Sequence, residues 1–434
     1  MMAVSAVGVQ AMGQASPKRW TLKECIDYAI AHNIEVKQSS NQLRTLKVQR
    51  NTLRNSFLPG AQSTMEQKFV FGRSLNQSNA YENRNIKNST LSAAVEVGIF
   101  QGFKRTASLE QNKFDLLAAE SNHELIKNNL SLSVVGAYFQ ILLDKEILKI
   151  AQEQIRLTQD QEACTQLLVE NGKVATSQLY EVKAQLADDE SAATEARNSL
   201  RLARLELCQL LEMEMQDEFE VDSVAQEVRP MDGPRPADIY QNATGCMPQV
   251  KQAYYALQSK IKGIRIARAG YYPTLTFGAG LNTEYYNYGK GLSDSFRKQF
   301  TNNMQRTLYF SLSIPIFDRF ATRNQIREAK IAADDAQLAL ENENKKLYKD
   351  IEKAYADALS AYDKYQSAQK SVATNQEAHR YALEKYAAGK STAIEYNEVK
   401  MKLANALSQQ SQAKFTYLLR CKVLNFYACL PLAE

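Results

Sequence analysis

In residues 308–315 apolar and polar side chains alternate without a break. Leu308, Phe310, Leu312 and Ile314 fall on one side; Tyr309, Ser311, Ser313 and Pro315 fall on the other. A period of two is the pattern of a β-strand with one apolar face, because successive side chains project to opposite faces. Residues 89–100 keep the same phase, with Leu91, Ala93, Val95 and Val97 set against Ser92, Ala94, Glu96 and Gly98. Strands are expected at 61–72, 89–100, 274–286 and 306–317. A sandwich strand would alternate in the same way, so the pattern alone does not choose an environment. Helical stretches precede each strand pair, Trp20 to about Phe57 and a second one to about Ala269, and Pro59 and Pro273 stop them. Thr21 with Glu24 three residues on predicts a capped start.

After each strand pair the period lengthens. Ala321 to Ala388 contains no Gly or Pro, and Lys104 to Asn171 contains only Gly136. At 1.5 Å per residue such a helix extends ~100 Å. Val134, Ile141, Leu148 and Ile155 recur every seven residues, as do Ile351, Ala358, Tyr365 and Val372, which predicts helices wound about partners. Each run stops at a glycine, Gly172 or Gly389, a residue suited to a left-handed helix end.

The two halves are written in one order. GKVATSQLYEVKAQLA (172–187) returns as GKSTAIEYNEVKMKLA (389–404) 217 residues later, with seven of sixteen positions identical. Ile99, Phe100 and Phe103 return as Ile316, Phe317 and Phe320. A duplication is the economical explanation. The expected organisation is a first repeat at 16–227, a linker at 228–236 with three prolines, and a second repeat at 237–434.

Composition excludes little. The 53 basic and 48 acidic residues leave a net charge of +5, scattered rather than clustered, so no nucleic-acid partner is expected. Six cysteines show no CxxC pair, and three histidines show no ligand spacing; free, mostly buried thiols and no metal are expected. No phosphate loop or nucleophile–base pairing points to catalysis, and no cofactor is called for. Residues 1–15 are small and apolar and end in Gly13-Gln14-Ala15, which reads as the remnant of a secretory signal peptide, with an unstructured start as the alternative. No apolar run is long enough for a membrane-spanning helix, but a barrel of half-apolar strands would leave the same low hydropathy. Tyr271, Tyr272, Tyr285, Tyr286 and Tyr288 at strand ends fit aromatic girdles at a lipid boundary. The connections RSLNQSNAYENRNIKN and GKGLSDSFRKQFTNNMQ are long and polar, like external loops.

Four strands cannot close a barrel in lipid, where open edges are excluded; two chains give eight, a barrel plugged by its own side chains, and three give twelve, wide enough for a lumen. The segments WTLKECIDYAIAHN, VGIFQGFKR and IPIFDRFATR, the proline before each first strand, and the glycine-led tips together resemble the TolC family of outer-membrane efflux proteins, over about residues 17–427. The resemblance implies a homotrimer: a twelve-strand transmembrane barrel continued by a long α-helical coiled-coil barrel through the periplasm. It also implies a passive exit duct working with a periplasmic adaptor (membrane fusion) protein and an inner-membrane pump, in efflux or type I secretion. The alternative is a coiled-coil structural or adaptor protein outside any membrane.

Leu91, Val95, Val97, Leu308, Phe310, Leu312 and Ile314 are then expected to face outer-membrane lipid. Gly172, Lys173, Gly389 and Lys390, with Glu181 and Glu398 behind them, are expected at the adaptor-docking tips; capping and hairpin packing alone would also account for them. The acidic constriction that the resemblance implies aligns near Arg380, with Glu377 and Glu384 as the nearby carboxylates, against the alternative of solvated surface charge. The family's glycine is replaced by Arg319 in the second copy and kept as Gly102 in the first.

Overall fold

The structure, a computed structural model, describes residues 19–75, 79–83, 85–214, 219–222, 228–230, 234–287 and 293–432. The expected leader, residues 231–233 of the linker and parts of both long connections lie outside them.

The first half runs β1 (Arg19–Trp20), α1 (Leu22–His32), α2 (Ile34–Asn55), β2 (Gly60–Val70), β3 (Arg73–Leu75), β4 (Tyr81–Asn83), β5 (Ile86–Gln101), α3 (Lys104–Glu170), α4 (Thr176–Leu210) and β6 (Glu220–Val221). The second runs α5 (Pro236–Cys246), α6 (Pro248–Arg268), β7 (Thr274–Asn287), α7 (Phe296–Asn302), β8 (Gln305–Ser313), α8 (Ala321–Ala387) and α9 (Ala393–Tyr427). The duplication is metrical: α3 and α8 each have 67 residues, and α4 and α9 each have 35.

Two compact units cut across these halves. Among the described residues, one comprises those up to Ser40, those within 122–250 and those from Glu343 onward, the other those within 41–121 and 251–342. The first is helical. Its core joins Cys25, Ile26 and Ala29 of α1, Val134, Tyr138 and Ile141 of α3, Leu200 and Leu207 of α4, and Phe415 and Leu418 of α9. The Tyr138 hydroxyl lies 2.8 Å from the Asp222 carbonyl oxygen and 3.1 Å from that of Trp20, which anchors the short parallel pair of β1 and β6. The second unit holds the sheet, in the order β2-β5-β7-β8 with every neighbour antiparallel.

Several expectations need correction. The single helix foreseen from Trp20 to about Phe57 is broken at Asn33, whose side chain accepts from the backbone N–H groups of Glu35 and Val36 and so starts a new helix. Its counterpart breaks at Met247, where Pro248 opens α6. The capping box at Thr21 and Glu24 forms as expected. The strand foreseen at 306–317 stops at Ser313, because Pro315 has no N–H to give a ladder; Ile314 therefore lies beyond the strand. The first-copy partner runs on to Gln101 through a bulge at Gly98–Phe100. The connections read as plain loops contain the β3–β4 ribbon and helix α7. Nor are all thiols free: Cys246 and Cys429 form a disulfide, and Cys164 is exposed, while Cys25 and Cys208 are buried. The bonded pair lies 183 residues apart, so no local spacing announced it.

Candidate functional site

Residues opposite each other in an antiparallel ladder share a face, and the register therefore sorts the sheet into two surfaces. One carries the rows Met65–Leu91–Thr283, Ser63–Ala93–Leu281–Arg306, Ala61–Val95–Ala279–Leu308, Val97–Phe277–Phe310 and Phe100–Leu275–Leu312. The other carries Glu66–Thr90–Glu284, Thr64–Ser92–Asn282–Gln305, Gln62–Ala94–Gly280–Thr307 and Gly60–Glu96–Gly278–Tyr309. Thus Leu91, Val95, Val97, Leu308, Phe310 and Leu312 stand on one apolar surface, and Leu308 and Phe310 are 75% and 71% exposed. Ile314, also exposed, falls outside the ladder. The strands have 11, 16, 14 and 9 residues, enough for tilted strands to cross a bilayer's apolar core. Both outer strands, β2 and β8, lack a partner on one edge within the sheet. No helix among the described residues is long and apolar enough to cross a membrane.

Each sheet-to-helix turn uses two successive left-handed residues. They are Gly102 (φ 59°) and Phe103 (φ 62°) before α3, and Arg319 (φ 56°) and Phe320 (φ 61°) before α8. The two copies therefore make the same backbone demand, and only the first meets it with glycine.

The helical unit contains the two hairpin tips. After α3, the N–H groups of Gly172 and Lys173 donate to the carbonyls of Val169 and Leu168, at 2.9 and 2.8 Å. After α8, Gly389 and Lys390 donate to Tyr386 and Lys385, both at 2.9 Å. These are Schellman ends, with glycine at the left-handed position (φ 68° and 70°). Lys173 and Lys390 are exposed beside them. Glu398 pairs with Lys402 at 2.6 Å on the surface, and Glu181 is exposed.

The three residues expected at the constriction are also exposed. Arg380 pairs with Glu377 at 2.8 Å and lies over the Tyr381 ring at 4.9 Å; Glu384 stands one turn further along α8. The structure thus couples Glu377 to Arg380 and leaves Glu384 out of that pair.

Sequence reasoning missed what joins the hairpins. Lys400 on α9 is buried to 1% side-chain exposure; its ammonium donates to Thr158 Oγ1 on α3 and lies 3.2 Å from Asp189 Oδ2 on α4. Asp189 also accepts from Gln185 at 2.8 Å and from Thr158. Burial holds the Lys400 ammonium below the ordinary lysine pKa, partly offset by the Asp189 charge. Towards the tips, Tyr386 Oη is 2.7 Å from Thr165 Oγ1, its ring stacks on Tyr396 at 5.1 Å, and His379 Nε2 is 3.2 Å from Tyr396 Oη. Val182 and Ala393 pack into the same cluster. Nothing in single-sequence pattern marks these polar residues, since the repeat carries a lysine at both copies of the position.

Among the described residues no group of His, Cys, Asp and Glu is placed to hold a metal. A sequence search of curated proteins finds no match. Solved structures with 15–17% identity share the fold. CusC superposes with a TM-score of 0.80 at 17% identity, covering 98% of this chain and 95% of its own. The outer-membrane protein VceC of Vibrio cholerae gives 0.75 at 15%, covering 95% and 96%. The CmeC outer-membrane channel of Campylobacter jejuni gives 0.78 at 16%, covering 100% and 95%. The family model described as outer membrane efflux protein matches residues 26–212 and 239–421, one match in each half. The two-faced sheet, the doubled hairpins and this match over most of the length agree: the chain belongs to the outer membrane efflux protein family, whose members are channels rather than enzymes.

Proposed function

We propose that three copies of the chain close their sheets edge to edge, β8 of one beside β2 of the next, into a twelve-strand barrel that serves as a passive exit duct. The observation that carries this is the four-stranded sheet with two unpartnered edges and one surface that is mostly apolar. Bare strand edges in hydrocarbon would leave backbone N–H and C=O groups unsatisfied, at several kcal/mol each, so the edges require partners. The apolar surface, including Leu91, Val95, Val97, Leu308, Phe310 and Leu312, then meets lipid, with Ile314 at its border. The polar surface, with Glu66, Glu96 and Glu284, lines the lumen.

In this reading the paired hairpins of three subunits continue the duct into the periplasm. The tips at Gly172-Lys173 and Gly389-Lys390 receive the periplasmic adaptor protein of an inner-membrane pump. Glu377, Arg380 and Glu384, exposed on α8 near its tip, face the narrow end. The cargo is chosen by the pump, because a passive duct needs no substrate-shaped pocket.

Migration of detergent-extracted outer membranes on an unheated gel tests the assembly. A band near three times the chain mass that collapses on boiling, with single-channel conductance in planar bilayers, is the expected result. Recovery as a soluble monomer would sink the proposal.

A further inference from the structure

The two surfaces of the sheet differ in charge as well as in polarity. The apolar one carries no carboxylate among its described strand residues, and its cations are Lys87 and Arg306. The three glutamates of this four-stranded sheet, Glu66, Glu96 and Glu284, stand on the opposite surface. Lys87 lies toward the end of the sheet that joins the loops rather than the helices, where it pairs with Phe69 and Asn287, whereas Arg306 stands on the Ala93–Leu281 row, midway along β5 and β7. The Lys87 ammonium sits 5.9 Å from the Phe69 ring centroid.

Helix α7 belongs to the loop end. β8 reaches only to the level of Asn282, so β7 loses its neighbour above that row. There Gln299 accepts from the Tyr286 N–H and donates to the Tyr286 carbonyl, at 3.0 and 2.9 Å, and Asn303 donates to the Glu284 carbonyl at 2.6 Å. The Thr283 hydroxyl donates to the Phe300 carbonyl, and the Phe296 ring lies 5.1 Å from that of Tyr285. Thr283 and Tyr285 are residues of the apolar surface, so α7 lies against that side. It leaves Phe296 52% exposed, with Arg297 and Lys298 exposed beside it; Asp294 pairs with Lys298 at 3.0 Å.

A strip of cations above an apolar surface, with aromatic rings between them, is the arrangement expected where a barrel passes from acyl chains to anionic headgroups. We propose that Lys87, Arg297 and Lys298 seat the phosphate groups of outer-leaflet lipids, while Phe296 enters the acyl boundary. This rests on the reading that the apolar surface faces lipid, and it adds a headgroup class and a place. Continuity with the apolar rows and the sign of the charge favour lipid over a neighbouring copy of the chain.

The test uses the full-length trimer in detergent, stripped of lipid and titrated with bisphosphorylated lipid A or its dephosphorylated form, with adducts counted by native mass spectrometry. The wild type should prefer the phosphorylated form by about tenfold or more, as several surface cations acting together imply. K87Q/R297Q/K298Q should lose that preference, and R297Q/K298Q, which alters exposed side chains only, should lose part of it. K68Q, on the opposite surface, should keep it. Equal binding of both lipids by wild type, an undiminished preference in the triple variant, or a loss as large in K68Q would overturn the proposal. So would displacement of the lipid by millimolar inorganic phosphate, which would mark a free-anion site. Loss of the unheated trimer band in R297Q/K298Q with lipid adducts unchanged would assign the strip to a neighbouring copy instead. An intact trimer without lipid preference defeats this inference alone, whereas absence of any wild-type trimer defeats the duct reading beneath it.

Discussion

Lys183 and Lys400 occupy the same position of the duplicated segment, 217 residues apart, within the shared triplet Glu-Val-Lys. Their surroundings are opposite. Lys183 is 48% exposed, with Glu162 at 3.9 Å and the Tyr180 ring centroid at 6.0 Å. Lys400 is 1% exposed and bound to Thr158 and Asp189 on two other helices. Duplication copied the local structure, a glycine-ended helix followed by a second helix, but the fate of each side chain depends on which helices pack over it. The same residue is a solvated charge at one tip and an internal tie at the other.

Substitution should separate them sharply. Lys400→Met leaves Asp189, whose side chain is 12% exposed, without its cation, a loss of up to about 3–5 kcal/mol in fully buried sites; Lys183→Met removes a surface pair worth under about 1 kcal/mol. Guanidinium unfolding of the detergent-solubilised protein, followed by helical circular dichroism, should show a large loss for the first and little for the second. Lys400→Met/Asp189→Leu should recover much of the loss, because an apolar pair of similar volume carries no stranded charge. Equal losses in the two single variants would break the comparison.

The sheet-to-helix turns offer a second matched pair. An added Cβ at Gly102 would lie 2.6 Å from the Ala269 carbonyl oxygen, in addition to the left-handed backbone strain. Gly102→Ala should therefore destabilise by at least ~2 kcal/mol. Arg319→Gly relieves the same backbone demand in the other copy and should stabilise by less than about 1 kcal/mol, since glycine also frees the unfolded chain. The same unfolding measurement reads both, and a loss of stability in Arg319→Gly would show that its side chain matters more than its φ.

What the chain disclosed in advance follows a physical rule. Features set by a few neighbouring residues were legible: the alternation of β5 and β8, the capping box at Thr21, the glycine ends at 172 and 389. Features set by what arrives from elsewhere were not. Lys400 is buried by α3 and α4, Cys246 meets Cys429 only after folding, and α7 forms where β7 outruns β8. The break at Asn33 lies between: asparagine is a known cap, but the apolar pattern runs straight through it. The apolar surface of the sheet is legible because it repeats along strands, whereas the tie between the hairpins is a single contact.

The tips themselves differ at one further matched position. Thr392 accepts from the Glu395 N–H at 3.2 Å, and Glu395 returns a bond to the Thr392 N–H, a complete capping box. The equivalent residue at the other tip, Ala175, has no side-chain cap. Thr392→Ala should lose about 1 kcal/mol from the start of α9, and Ala175→Thr should gain up to that much at the start of α4. Amide hydrogen exchange in the first turn of each helix measures the two separately. If exchange at α4 is already slower than at α9, then packing outweighs capping at the tips.

The smallest expected difference concerns acid. His379 is held below its ordinary pKa of 6.5, chiefly by burial and then by the Lys400 charge, and its Nε2 faces Tyr396 Oη. A histidine with a lowered folded pKa binds its proton first in the unfolded chain. Stability is therefore kept above about pH 6.5 and falls as pH drops from there toward the folded value. His123, lowered by burial and Lys127 with Ser39 Oγ at 2.6 Å, contributes in the same direction. Between about pH 8 and pH 5.5 the wild type should lose well under about 1 kcal/mol from each once solvent screening is allowed for, and less from the more exposed His123. His379→Gln and His123→Gln should each flatten part of the profile. Lys400→Met should flatten only the His379 part, because removing the cation raises that histidine toward its ordinary value. An unchanged slope in Lys400→Met would show that the lysine's charge does not reach His379, and that its tie to α3 and α4 is electrostatically closed within the Thr158–Asp189 pair.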